Sequence, residues 1–225
     1  LLFLCALPST VQTSIALTSM ARGNVAAAVA AAAASNLLGI IATPLVAGLM
    51  LTARGGEVPL SGIWRIVLLL LLPFAVGHLL RPVLGAWAAR QRALLVWADR
   101  TTVLISVYTA FSAAVIAGIW KQVPGWTLVI LVALCALLLV LVLVWTGLAA
   151  RMVALGPADA RTLRYSGSLK SLVSGVPMAR VLFPSAEIGM VMLPIMIYHQ
   201  LQLMVCAWLA RRQGEASDDS VQKQA

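Results

Sequence analysis

Two short stretches of this 225-residue chain concentrate polar side chains within otherwise apolar segments. The first, LPSTVQTS at 7–14, sets Pro8 ahead of Ser9, Thr10, Gln12, Thr13 and Ser14; the second, within YSGSLKSLVSGVP at 165–177, holds Ser166, Ser168, Lys170, Ser171, Ser174 and Pro177. Hydroxyls, amides and one ammonium are hydrogen-bonding groups, and no catalytic motif accompanies them: HExxH, GxSxG and a phosphate-binding glycine loop are all missing from the sequence. The expected chemistry is therefore binding, with no enzyme activity. Pro8 removes a backbone donor and crowds the preceding turn, so carbonyls around Leu4 to Leu7 lose their helical partners, and the neighbouring hydroxyls are suited to replacing them.

Lys170 is the costly residue of the second stretch. A lysine at the centre of a membrane helix carries an apparent penalty of about 2.5–3.5 kcal/mol, which marks a functional position unless the side chain snorkels to a boundary. Two readings stay open at this level. The prolines either kink two ordinary packing helices, or interrupt two helices at corresponding places in the chain, the pattern of an inverted-repeat transporter site. Ser35 and Asn36 follow the alanine-rich run VAAAVAAAAA at 25–34, whose small side chains let helix backbones approach closely. A polar pair at that depth needs an internal partner, as do His199, Gln200 and Gln202 of YHQLQ, which are expected to support the core.

The elements that hold these residues are set by composition. Hydrophobic residues make up 62% of the chain and charged residues 10%, with mean hydropathy +1.00, against about 45–50% and 25% in soluble domains. The fold class is an all-α integral membrane protein. At roughly 20 residues per span the length allows six or seven crossings, and polar interruptions divide the chain into seven segments: 1–20, 25–51, 63–80, 101–120, 126–149, 162–182 and 188–210. One membrane domain, 1–212, would precede a disordered cytoplasmic tail, 213–225.

The net charge of +9 is dispersed between apolar runs, which argues for topology signals and against nucleic acid as a partner. If segments alternate across the bilayer, Arg22, Arg81, Arg90, Arg92, Arg100, Arg151, Arg161, Arg164, Arg211, Arg212 and Lys223 share one side; Arg54, Arg65, Lys121 and Arg180 share the other. Eleven cations against four place the first side, with the C-terminus, in the cytoplasm. Cys5, Cys135 and Cys206 lie in apolar runs without metal-ligand spacing, so no metal or cofactor is implied by the cysteines. The opening LLFLCALPST has neither an initiator Met nor a signal-peptide pattern and reads as a fragment starting inside a helix.

The stretches LPSTVQTSIALTSMARGNVAAAVAAAAASNLLGIIATPL, GSLKSLVSGVPMARVLF and YHQLQLMVCAWLARR together resemble the sodium/bile acid symporter-like subgroup of the bile acid:sodium symporter superfamily, uncharacterised bacterial sodium-dependent transporters among them. The resemblance covers nearly all of the chain. It implies ten transmembrane helices in two inverted repeats, forming core and panel domains, with the fourth and ninth helices broken and crossing. About seven of those ten would be present here, the fourth to the tenth. It also implies Na+ as a transported ion, at Thr13, Ser14 and Ser166 in this numbering. Here the chain departs from the pattern: Ser166 stands where relatives carry a glutamate and Lys170 where they carry a glutamine. An ammonium repels Na+ and offers no ligand oxygen, so Lys170 is expected to substitute for a bound cation by donating to hydroxyls and freed carbonyls. The implied function is secondary active transport of a small organic solute, an organic anion by the family's habit, in the bacterial inner membrane, coupled to Na+ or H+. The alternative is a regulatory or scaffold protein on a transporter fold.

Overall fold

The computed structural model describes residues 1–52, 64, 68, 72–73, 75–77, 79–116, 118, 124–183 and 188–222. The expected segment 63–80 and the cations Arg54, Arg65, Lys121 and Lys223 fall largely or wholly outside these residues. Within them the chain is helical: α1 Leu2–Ala6, α2 Val11–Met20, α3 Val25–Thr52, α4 Arg81–Arg90, α5 Arg92–Ile116, α6 Gly125–Met152, α7 Pro157–Ser168, α8 Leu172–Leu182 and α9 Ile188–Gln222. Three of the seven expected segments contain helices long and apolar enough to cross a bilayer: Val25–Thr43, Gly125–Met152 and Ile188–Ser217. The first and sixth are each divided in two, as α1 and α2 and as α7 and α8.

The stretch 81–100, read from its arginines as a connection, is helical instead. Pro82 sits in the first turn of α4 and Arg90 in its last, where each suits the helix end it occupies. The tail is a second correction. Residues 213–222, expected to be disordered, continue α9. They are held rather than loose: Tyr165 donates its hydroxyl hydrogen to Gln213 Oε1 at 2.9 Å, and a Cβ on Gly214 would lie 2.5 Å from the Met20 carbonyl oxygen, so only glycine lets α9 pass so close to the end of α2.

α3, α6 and α9 wall in the four short helices. α3 packs on α1, α2, α7 and α8; α9 packs on α1, α2, α5, α6 and α8; α6 lies against α7 and α9. The alanines of α3 work as the sequence suggests, with Ala28 and Ala32 fully buried against their neighbours. α6 is the opposite case. Its mean hydropathy is 3.4 but only 11% of it is buried, and Val140, Leu141, Val144 and Trp145 point outward, as lipid-facing side chains do.

One end of the bundle is tied by polar contacts. α2 closes with Arg22 in the left-handed region (φ 57), returning the Arg22 N–H to Ser19 and the Gly23 N–H to Thr18. Arg161 donates to the freed carbonyls of Ala21 and Arg22 at 3.0 and 3.3 Å. Asn24 caps α3 through its side-chain oxygen, bonds Asp159 through its amide, and exchanges two 3.0 Å bonds with the Thr162 hydroxyl. Arg22, just after α2, and Arg161 and Arg164, in α7, therefore lie at the same end as the C-terminal part of α9.

At the middle of the fold, α3 runs directly against the proline of the first break. A Cβ on Gly39 would lie 2.6 Å from Pro8 Cβ. Gly39→Leu should cost about 1–3 kcal/mol by overpacking, read as a lower thermal midpoint of the detergent-solubilised protein, while Leu38→Ala, at a 68% exposed position next to it, should leave the midpoint nearly unchanged.

Candidate functional site at two facing helix breaks

The first break, Leu7 to Thr10, is extended: Leu7 has φ −71 and ψ 145, Thr10 φ −84 and ψ 123. The second, Leu169 to Ser171, is extended too, with φ −80 and ψ 140 at Leu169 and φ −86 and ψ 113 at Ser171. The two strands of backbone meet. The Ser171 N–H donates to the Pro8 carbonyl at 2.9 Å, and the Thr10 hydroxyl donates to the Lys170 carbonyl at 3.0 Å.

A helix that stops leaves its last carbonyls without partners, and in this fold each carbonyl from Leu4 to Ser9 has a donor. Leu4 receives the Leu7 N–H at 3.3 Å, Ala6 the Thr43 hydroxyl at 2.7 Å, Pro8 the Ser171 N–H, and Ser9 the Asn36 amide at 3.0 Å. Cys5 and Leu7 both receive Lys170 Nζ, each at 2.9 Å. The ammonium thus sits at the negative end of α1, where a positive charge is favoured. It donates to carbonyls; no hydroxyl is among its partners in the described residues, so the expectation of hydroxyl acceptors is replaced by a purely carbonyl site.

The peptide of Lys170 is gripped from the other side by Gln202. Gln202 Oε1 accepts the Lys170 N–H at 2.7 Å, while Nε2 donates to the Lys170 carbonyl at 2.8 Å. The remaining Nε2 hydrogen points to His199 Nδ1 at 2.9 Å, which places the imidazole hydrogen on Nε2. Gln202 is fully buried, with both Nε2 hydrogens and its Oε1 engaged. Its fork reproduces the pairing a neighbouring β-strand would give to one residue.

The other candidates divide. Ser9 N–H bonds Ser35 Oγ at 3.1 Å, and Asn36 also donates to Ala32 within its own helix. Ser14 and Ser166 share a buried hydroxyl pair at 2.9 Å across α2 and α7. Ser168 Oγ lies 3.9 Å from the Cys206 sulfur, and Ser171 caps α8 by accepting the Ser174 N–H and donating to the Ser174 hydroxyl. Ser9 Oγ is buried without a hydrogen-bond partner among the described residues. Pro177 lies within α8, one turn beyond the break. Thr13 is half-buried, and Gln12 and Gln200 are exposed. Gln200 therefore does not support the core, because on a helix it points away from the face shared by His199 and Gln202.

Two contributors escaped the sequence reading. Thr43 is fully buried and serves the Ala6 carbonyl, and Tyr198, also fully buried, donates to the Ser168 carbonyl at 2.9 Å. A lone hydroxyl in an apolar helix and the tyrosine that opens YHQLQ were the only available signals.

Gln202→Leu keeps the side-chain volume but orphans the Lys170 N–H, worth about 1–3 kcal/mol when buried, and leaves the Lys170 carbonyl to the Thr10 hydroxyl alone. A large fall in thermal midpoint is expected for Q202L and a change within about 0.5 kcal/mol for Q200L at its exposed position; equal effects of the two would overturn the clamp.

Residues 1–215 match the SBF-like CPA transporter family. A protein of Escherichia coli (strain K12) named "Putative symporter YfeH" is 50% identical over 211 residues, covering 94% of this chain and 64% of its own length. "Uncharacterized protein PA2026" of Pseudomonas aeruginosa is 50% identical over 222 residues, 98% of this chain and 66% of its length. "Sodium/bile acid cotransporter 7" of Xenopus tropicalis is 25% identical over 219 residues, 92% of this chain and 63% of its length. The chain spans slightly less than two thirds of these relatives. A broken-helix polar core inside an apolar bundle, matched to this family over all but its last ten residues, makes the chain a member of the SBF-like CPA transporter family, within the bile acid:sodium symporter superfamily.

Proposed function

We propose that the chain is the larger part of a secondary active transporter of the bacterial cytoplasmic membrane, moving a small organic solute by alternating access about the two facing breaks. In this reading α1 with α2, and α7 with α8, are two discontinuous membrane helices at corresponding places of an inverted repeat. The solute is of the organic-anion class. The N-termini of α2 and α8 open at the breaks, where backbone N–H groups and the positive dipole end favour a negative charge. The cytoplasmic assignment of the C-terminus is supported by the shared location of Arg22, Arg161 and the end of α9.

The observation that carries the reading is the Lys170 ammonium on the Cys5 and Leu7 carbonyls, with Gln202 holding the same residue's peptide. Helix-end carbonyls and hydroxyls are the groups that would hold Na+ at such a break. Here the carbonyls at the end of α1 serve an ammonium, and the Ser14 and Ser166 hydroxyls serve each other. That donor set fits a cation supplied by the chain better than a resident Na+, so coupling falls to H+.

Counterflow of labelled organic anions in proteoliposomes tests this. Wild type should exchange solute in Na+-free buffer, and K170A should lose exchange by about tenfold or more, since each charge-assisted bond contributes about 1.5–3 kcal/mol. A saturable Na+ requirement in wild type that persists in K170A would sink the fixed-cation reading; no exchange of any organic anion, together with partner-dependent phenotypes, would favour a scaffold.

A further inference from the structure

Away from the two breaks, α6, α7 and α9 enclose a groove of about 360 Å³. Its polar end carries two guanidiniums, Arg151 and Arg164, and its wall is apolar, including Val144, Leu148 and Leu209. Arg151 lies in the last turn of α6, where the apolar span ends, and the wall runs back along that span. Val144 and Leu148 are 53% and 46% exposed along that wall.

The arginines here differ from their neighbour in use. Arg161, one turn before Arg164, spends its guanidinium on the Ala21 and Arg22 carbonyls. Neither Arg151 nor Arg164 has a side-chain hydrogen bond or ion pair among the described residues, and no carboxylate lines the groove. Arg164 reaches across α6 at Gly147: a Cβ there would stand 3.3 Å from the Arg164 guanidinium nitrogen, so glycine leaves the planar group its place. Two unpaired forks over an apolar wall complement a phosphodiester with a hydrocarbon chain attached, because guanidinium pairs bidentately with phosphate oxygens and is weakly hydrated. Basic pockets between membrane helices bind anionic headgroups in this manner.

We propose that this groove is a binding site for an anionic phospholipid, its phosphate held between Arg151 and Arg164 and an acyl chain lying along α6. The site is separate from the helix breaks and does not depend on which solute or ion the transporter carries.

The test uses the full chain, purified and delipidated in neutral detergent, and titrated with phosphatidylglycerol, phosphatidylcholine or inorganic phosphate under native mass spectrometry. Wild type should retain phosphatidylglycerol over phosphatidylcholine by about tenfold, equivalent to about 1.4 kcal/mol, with inorganic phosphate failing to compete at equal concentration. R151Q/R164Q should abolish the preference, and R211Q/R212Q, which do not line the groove, should keep it. Val144→Trp fills the groove from its exposed wall without touching a charge and should also abolish it, which decides the matter if the double glutamine variant does not fold. Equal retention of the two lipids, an unchanged preference in either groove variant, or displacement by free phosphate would overturn the proposal.

Discussion

A backbone carbonyl cannot be left unpaired where water does not reach, since each orphan costs several kcal/mol in a hydrocarbon surround. Every feature around the two breaks answers that constraint. α1 ends after five residues and leaves a row of acceptors. The five donor groups come from three places: a backbone N–H of the same turn, an ammonium and a backbone N–H from the second break, a hydroxyl and an amide from α3. Where the chain abandons its own hydrogen-bond ladder, the rest of the fold supplies one side chain at a time.

Close packing is what lets short donors reach. Thr43 and Asn36 have short side chains, so α3 must lie almost in contact with the first break, and Gly39 against Pro8 with Ala28 and Ala32 buried provides that approach. Lys170 works differently, spanning the gap with a long stem and leaving its own peptide to Gln202. The second break is thus held through its backbone from α9, while its side chain holds the first. Both breaks depend on one residue, and that residue depends on a glutamine 32 positions later.

Much of this was legible in the residues, for physical reasons that differ by position. Pro8 announced which carbonyls would lack partners, and a lysine in an apolar run announced that something must repay its burial; the structure joins those two facts. That Ser35 and Asn36 need an internal partner followed from their depth, but that the partner is the first break did not. Gln202 was visible only as a polar residue in a helix, because its fork gains meaning from a peptide that sequence spacing does not place beside it. Gln200 was misjudged by treating YHQLQ as one block, when i and i+3 share a face and i+1 does not. The tail failed for the opposite reason: GEASDD is polar enough to read as disordered, yet Gly214 and Gln213 make specific contacts with α2 and α7 that composition does not express.

The carbonyls of Cys5 and Leu7 are separated from their donor by 165 and 163 residues of chain. During synthesis at about 5–20 residues per second, the first break waits on the order of 10–30 s for the lysine that completes it, and a few seconds more for the glutamine that fixes the lysine. For that interval the carbonyls of Cys5 and Leu7 lack their final donor. The order in which α7 and α8 join α1 is therefore as much a part of this architecture as the final contacts.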